Sequence, residues 1–200
     1  MKIVLYLLVV GLGLVGQLAA QVPITLSEDD STEIQLLAQQ RISIELKNLY
    51  NTLTNSKKGE LELARKVNDS FLPSKKQIFY NDNVVIESDI VPNKKGPDLL
   101  VDVYLKDLLL YYKKTTVESI FISKVSVSDI KFMENEKFAG YYLKVFFTVD
   151  FRSTTTSTLQ NQSYTPVRRV ATMFVEWQKN RWVVYIKSIS FDKAASEPLK

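Results

Sequence analysis

Residues 79–92, FYNDNVVIESDIVP, gather the side chains with the most chemical promise: Asp82, Glu87 and Asp89, with Tyr80 beside them. Carboxylates this close together can move protons or ligate a cation. As cation ligands they fit poorly, because a calcium loop places its oxygens at alternating positions over twelve residues, and these three acids lack that alternation. No metal site and no cofactor is expected from them. For proton transfer they have few helpers, since the chain contains no His and no Cys. That removes a Ser-His-Asp triad, a Cys nucleophile, a His base and every thiolate or imidazole metal site. Carboxylates, Tyr, Lys, Ser and Thr remain. The plainer reading of the stretch is architectural. Asn81-Asp82-Asn83 reverses the chain between two β-prone runs, 77–80 and 84–90. Val84, Ile86 and Ser88 then alternate with Val85, Glu87 and Asp89, which sets the acids on the solvent side of a half-buried strand. Asp89, nearest the helix that follows, is the one acid to compare with an interior site.

The elements around this stretch are legible as periodicities. Asp30-Ser31-Thr32-Glu33 matches a capping box. Ala38, Ile42, Leu46, Leu49 and Leu53 form one apolar stripe, which predicts a helix over 32–54. Leu61, Ala64, Val67 and Phe71 predict a second helix that stops before Pro73. After a loop at 91–97, Asp98 is placed to cap a third helix, 99–113, with Val101, Leu105, Leu108 and Tyr112 on one face. Strands follow. Residues 117–131 read as one. In 139–152, Tyr141, Leu143, Val145, Phe147, Val149 and Phe151 alternate with polar and mixed positions, a period of two. A Ser/Thr-rich loop covers 153–163. Residues 165–177 and 182–191 make the last pair of strands.

That last pair can be registered. With Lys179-Asn180 as a two-residue turn, Trp177 faces Trp182, Val175 faces Val184 and Met173 faces Ile186, all on one apolar side. Phe174, Tyr185 and Val183 fall on the other, mixed side. The aromatic pair reads as a cross-strand lock. Trp177, Trp182, Phe174, Tyr185 and Tyr112 are the candidates for lining a pocket or an interface.

Composition bounds the partners and the compartment. Hydrophobic residues make up 46% of the chain and charged ones 24%, enough to bury a core. The net charge of +4 is spread along the chain instead of gathered in a stripe, so nucleic acid is not an expected partner. Met1-Lys2, an apolar run from Ile3 to Val15 and Leu18-Ala19-Ala20 before Gln21 have the layout of a secretory signal peptide. The run is short for the ~20 residues of a spanning helix. The expectation is an exported chain, periplasmic or secreted, with no membrane span after cleavage. Residues 1–20 are then the signal peptide, 21–30 a flexible N-terminus, 31–192 one domain and 193–200 a disordered tail.

The order helix, helix, short hairpin, helix, long antiparallel strands resembles the nuclear transport factor 2-like fold, also called ketosteroid isomerase-like or SnoaL-like. The resemblance spans roughly residues 30–192. Its most suggestive pieces are FYNDNVVIESDI before the third helix and the closing EWQKNRWVVYIKSISF hairpin. VPNKKGPDLLVDVYLKDLLLYY is also similar to a stretch in secreted proteins of Bacteroidetes-type bacteria that carry such a domain. The resemblance implies an α+β cone in which helices pack on a curved, mainly antiparallel sheet around a pocket. It implies no single function, since enzymes, small-ligand binders and adaptors share the fold. An isomerase-like member would need a carboxylate base, for which Asp89 and Asp150 are available. It would also need a Tyr to stabilise an oxyanion, for which Tyr80, Tyr104 and Tyr142 are available. Dehydratase relatives use a His–Asp pair that this chain cannot supply. The expectation is therefore a non-catalytic binding or assembly module. It would hold a protein partner, a second copy or a small apolar ligand through the sheet face or the cone pocket. An isomerase/dehydratase-like enzyme is the alternative.

Overall fold

The computed structural model describes residues 25–55, 57–90, 96–112, 119–135, 138–151 and 165–193. The expected signal peptide, the Ser/Thr-rich loop 153–163 and residues 194–200 of the tail lie outside them. The protein is α+β, with helices packed on a mainly antiparallel curved sheet.

Helix α1 (Glu28–Gln40) begins one turn before the expected start. Ser27 Oγ accepts from the Asp30 amide at 3.0 Å and the Asp30 carboxylate accepts from the Ser27 amide at 3.1 Å. This reciprocal box prevails over the one expected at Asp30–Glu33 because it places Glu28, Asp29 and Asp30 in the first turn. There they complement the positive end of the helix dipole. Residues 27–30 are accordingly structured, not a flexible leader. The helix continues through a π-helical segment (Arg41–Leu46) into α2 (Lys47–Leu53). The buried stripe Ile34, Ala38, Ile42, Leu46 repeats every four residues. In a 3.6-residue helix such a row would drift around the axis, and the wider π turn keeps it facing the core. Helix α3 (Glu60–Phe71) follows Gly59 and stops two residues before Pro73, as proline disfavours helical backbone ahead of it.

Among the described residues seven strands form one sheet in the order β2-β1-β7-β6-β5-β3, with β4 also pairing β5. The acid-bearing stretch does not form the expected hairpin. Phe79 bridges Ile186 in parallel, and β1 (Val85–Glu87) pairs in parallel with β7 (Arg181–Phe191). Residues 77–80 and 84–87 thus run in the same direction along one edge of β7. Asn81 Oδ1 accepts from the Asn83 amide at 3.0 Å, so the Asn-Asp-Asn trio is an Asx turn that makes a step, not a reversal. The reversal comes later: β1 pairs antiparallel with β2 (Asp98–Leu100). Asp98 is therefore a strand residue, and α4 (Val101–Tyr111) starts without a side-chain cap. Its entry is fixed instead by the Val101 amide donating to the Val84 carbonyl at 2.8 Å. Gly96 lies close against Ser88, where a Cβ would come within 2.8 Å of Ser88 Cβ.

Of the expected strand 117–131, β3 (Ile120–Val127) forms, and a further strand, β4 (Lys131–Asn135), begins at its last residue, both paired with the long β5 (Phe138–Phe151). A bulge between Ser123 and Ser126, with Lys124 at φ 52°, bends β3. β6 (Val167–Gln178) and β7 pair in the expected register, Trp177 with Trp182, Val175 with Val184 and Met173 with Ile186. Lys179 and Asn180 both take positive φ, 50° and 61°, as a primed two-residue turn requires. Past Lys187 the register slips by one, so Ile189 replaces Ser188 opposite the core position of Ala171. The concave side then buries Leu143, Val145, Phe147, Val149, Ala171, Met173, Val175, Val184, Ile186 and Ile189 against Val101, Tyr104, Leu105 and Leu108 of α4 and the stripe of the first helix.

Candidate functional site

β1 ends at Glu87, so strand parity does not carry on to Asp89, and the chain turns inward there. Asp89 is not a solvent-facing acid. Its Oδ2 lies 2.6 Å from Arg169 Nη1, with the two side chains 2% and 1% exposed. Its Oδ1 accepts from the Tyr104 hydroxyl at 2.8 Å. The Tyr104 ring leans on Tyr50 with centroids 6.0 Å apart. Arg169 Nη2 donates to the Glu87 carbonyl, and the guanidinium carbon lies 4.6 Å from the centre of the Phe191 ring. Glu87 is engaged as well, its carboxylate accepting from the Phe191 amide at 2.6 Å. The end of β1, a helix (α4) and two central strands (β6, β7) thus meet at one buried charge pair.

The electrostatics follow from burial. Tyr104 and Tyr50 are held well above the ordinary tyrosine range, chiefly because burial disfavours the tyrosinate and secondly because Asp89 carries a negative charge nearby. Tyr104 is therefore a fixed hydrogen-bond donor to Asp89. Tyr112 is raised for the same two reasons. It is a packing residue, stacked on Phe151 at 4.5 Å with its hydroxyl donating to the Ile90 carbonyl at 3.1 Å.

The structure brings together two of the sequence candidates, Asp89 and Tyr104. Tyr80, Tyr142 and Asp150 are elsewhere. Tyr80 lies on the outer face of the sheet, edge-on to Phe174 at 5.0 Å and to Tyr185 at 6.1 Å. Tyr142 tilts against the same Phe174 at 5.1 Å. Lys187 Nζ sits 4.3 Å from the Tyr80 ring centre. Burial raises both Tyr80 and Tyr142, the Glu176 charge contributing at Tyr80 and Tyr80 at Tyr142. Phe174 and Tyr185 are thereby mostly buried beneath neighbouring rings. Gly140 fits under this cluster because a Cβ there would meet the Phe174 ring at 2.5 Å. Asp150 is half-buried on the outer side of β5, opposite Phe121 of β3.

The tryptophans are placed unequally. Trp182 is buried and its Nε1 donates to Asp30 Oδ1 at 2.7 Å. With the Ser27 hydrogen bonds, that contact holds the Asp30 carboxyl below its usual range. Trp177 packs edge-on to Trp182 at 4.9 Å but stays 47% exposed. Trp182 also meets Tyr141, and Tyr141 meets Phe132, which is 40% exposed. An aromatic row thus runs across the tip of the sheet and ends in two exposed rings. Elsewhere, a groove of 340 Å³ lies between Thr32, Gln35, Leu36 and Gln39 of α1 and Val125, Ser126 and Val127 of β3. No group of three or more acids that could hold a metal ion is present among the described residues, and among them no helix is long and apolar enough to cross a membrane.

Sequence reasoning missed Arg169, the partner that decides what Asp89 can do. The signal was there: Arg169 has the same parity on β6 as Ala171, Met173 and Val175, so a charged side chain had to enter the apolar face.

No family model matches the chain, and no curated protein matches it. A solved structure of the Kfla4162 protein from Kribbella flavida is similar at 11% identity with a TM-score of 0.29, over 77% of this chain and 89% of that one. A likeness that slight carries no argument about this protein.

Proposed function

We propose that the chain is an exported, non-catalytic binding or assembly module of the cell envelope, built on a nuclear transport factor 2-like cone, that holds a protein partner through the rim of its sheet. The observation that carries this reading is the state of Asp89. One of its oxygens is taken by Tyr104 and the other by Arg169, and the charge pair is shut away from solvent. A general base must come within reach of the proton it removes, and a carboxylate that is the counter-ion of Arg169 and sealed in a packed core presents no lone pair to a substrate. Exposed apolar rings stand at the sheet tip instead, Trp177 and Phe132, with Met133 exposed on the opposite face of β4. Aromatic residues and Met are what the cores of protein interfaces favour. The order of elements supports the cone family, and the residue pattern of 1–20 supports export.

The test is affinity capture of the protein from its own envelope fraction, compared with a Trp177→Ala/Phe132→Ala variant, with native mass spectrometry of the purified chain. The expected result is a stoichiometric protein partner that the double variant loses, and a chain that flies at its own mass. A retained small molecule that Asp89→Asn releases would overturn the reading in favour of a pocket function.

A further inference from the structure

Arg169 is held as a ligand would be held. Its guanidinium meets a carboxylate at Asp89, a backbone carbonyl at Glu87 and an aromatic face at Phe191. That set matches the chemistry of a guanidinium: planar, permanently charged, a forked donor at its edge and weakly hydrated on its faces. A lysine ammonium, a compact point charge, would use the carboxylate but not the ring and the fork together.

Each of those three groups is also fixed by contacts that do not involve Arg169. Asp89 is oriented by the Tyr104 hydroxyl on its other oxygen. The Glu87 side chain is bonded to the Phe191 amide, which ties the carbonyl-bearing residue to the residue that supplies the ring. β1 is paired on both sides, with β2 and β7. The receptor is therefore assembled by the backbone and by Tyr104, and Arg169 fills it.

We propose that the interior of this domain contains a guanidinium-binding site that the chain occupies with its own Arg169, and that takes a guanidinium ion or a monosubstituted guanidine once that side chain is removed. The site excludes anions through Asp89 and favours guanidinium over ammonium because one planar cation spans the Asp89 carboxylate, the Glu87 carbonyl and the Phe191 face at once. This inference does not depend on the module having a protein partner.

The experiment is chemical rescue. Arg169→Gly empties the site, and thermal unfolding is followed with millimolar guanidinium chloride against ammonium, tetramethylammonium and sodium chloride at equal ionic strength. The expected result is a lower unfolding temperature for Arg169→Gly and a saturable rise with guanidinium alone, as a ligand that binds only the folded state produces. The wild type and Arg169→Met, whose apolar chain fills the space, should not respond. Asp89→Asn/Arg169→Gly should bind guanidinium more weakly by about tenfold or more, the scale of a lost charge-assisted bond. If Arg169→Gly does not fold in plain buffer, guanidinium-dependent recovery of the far-ultraviolet circular dichroism is the readout. An equal response to ammonium, a response of Arg169→Met as large as that of Arg169→Gly, or no response of Arg169→Gly in either readout overturns the proposal.

Discussion

Arg168 and Arg169 are neighbours on β6, and each is paired with an aspartate. The sheet sends them in opposite directions. Arg168 Nε lies 3.2 Å from Asp192 on the outer face, with 53% of its side chain exposed. Arg169 lies 2.6 Å from Asp89 inside, with 1% exposed. Residue type, strand and partner type are held constant, so burial is the variable. Outside, water and salt already solvate the Arg168 guanidinium, though Asp192 keeps only 7% of its side chain exposed, and a pair with one charge in solvent adds little. Inside, each charge has given up its hydration and depends on the other. The lesson is that the inner pair does not mark strong attraction so much as mutual obligation: removing either member leaves the other stranded. That is also why Asp89 is unsuited to act as a base, since protonating it or loosening it would strand Arg169.

The largest expected effect follows from breaking that obligation. Asp89→Asn keeps the shape and leaves the buried guanidinium opposite a neutral amide, at a cost of about 3–5 kcal/mol. Urea unfolding should show a lower midpoint with an unchanged slope. Asp89→Leu/Arg169→Met removes both charges together and should recover most of that loss. A double variant as unstable as the sum of the singles would break the comparison, because the two residues would then be independent.

Tyr104→Phe sharpens it. The substitution leaves the ring against Tyr50 and removes only the donor to Asp89 Oδ1. A buried acceptor left unmet costs about 1–3 kcal/mol. A change under a few tenths would mean that Tyr104 does not orient the acid.

Alkaline pH reads the same interior from another side. Tyr104, Tyr50 and Tyr112 have folded pKa values raised above their unfolded ones, by burial first and by Asp89 second. The stability this represents is fully present below the unfolded value of about 10 and is lost as pH rises past it. Above that point the unfolded chain releases protons that the folded chain still holds. The unfolding temperature should therefore fall above about pH 10, and Tyr50→Phe should make the fall shallower. A profile unchanged by Tyr50→Phe would mean that this ring titrates freely in the fold.

The sequence made the repetitive parts of this molecule legible and the singular parts obscure, for a physical reason. Two-residue alternation in β5 and the Lys179-Asn180 turn are local patterns that repeat or carry a unique backbone demand, and both stand where they were expected. The stretch FYNDNVVIESDI has no such protection. Whether 77–80 pairs with 84–90 or with a strand a hundred residues later is decided by β7, which local propensity cannot see. The Asx turn is compatible with either outcome. Asp89 and Tyr104 could be nominated by type, but their roles depended on Arg169, 80 residues on from Asp89. Strand parity had already placed Arg169 on the apolar face, and only the habit of reading basic residues as surface hid it. Trp177 and Trp182 were correctly paired, yet their different exposure depends on Asp30 and the start of α1, one turn earlier than the sequence suggested.

The smallest expected effect belongs to the outer arginine. Arg168→Met deletes the exposed charge of the outer pair while keeping an apolar stem of similar length, so packing along the strand is preserved. The loss should be under about 1 kcal/mol, and smaller still at high ionic strength, where a Debye length of about 3 Å at 1 M salt screens exposed charges. Measured beside Asp89→Asn in the same urea series, it gives the contrast directly. The outer variant should converge on wild type as salt is added, whereas the inner one should keep its deficit, because salt does not reach a pair sealed in the core. If Arg168→Met kept its full cost at high salt, the Asp192 side chain, only 7% exposed, would be the reason. The outer pair would then belong with the inner one, and parity on β6 would no longer separate a dispensable charge from an obligatory one.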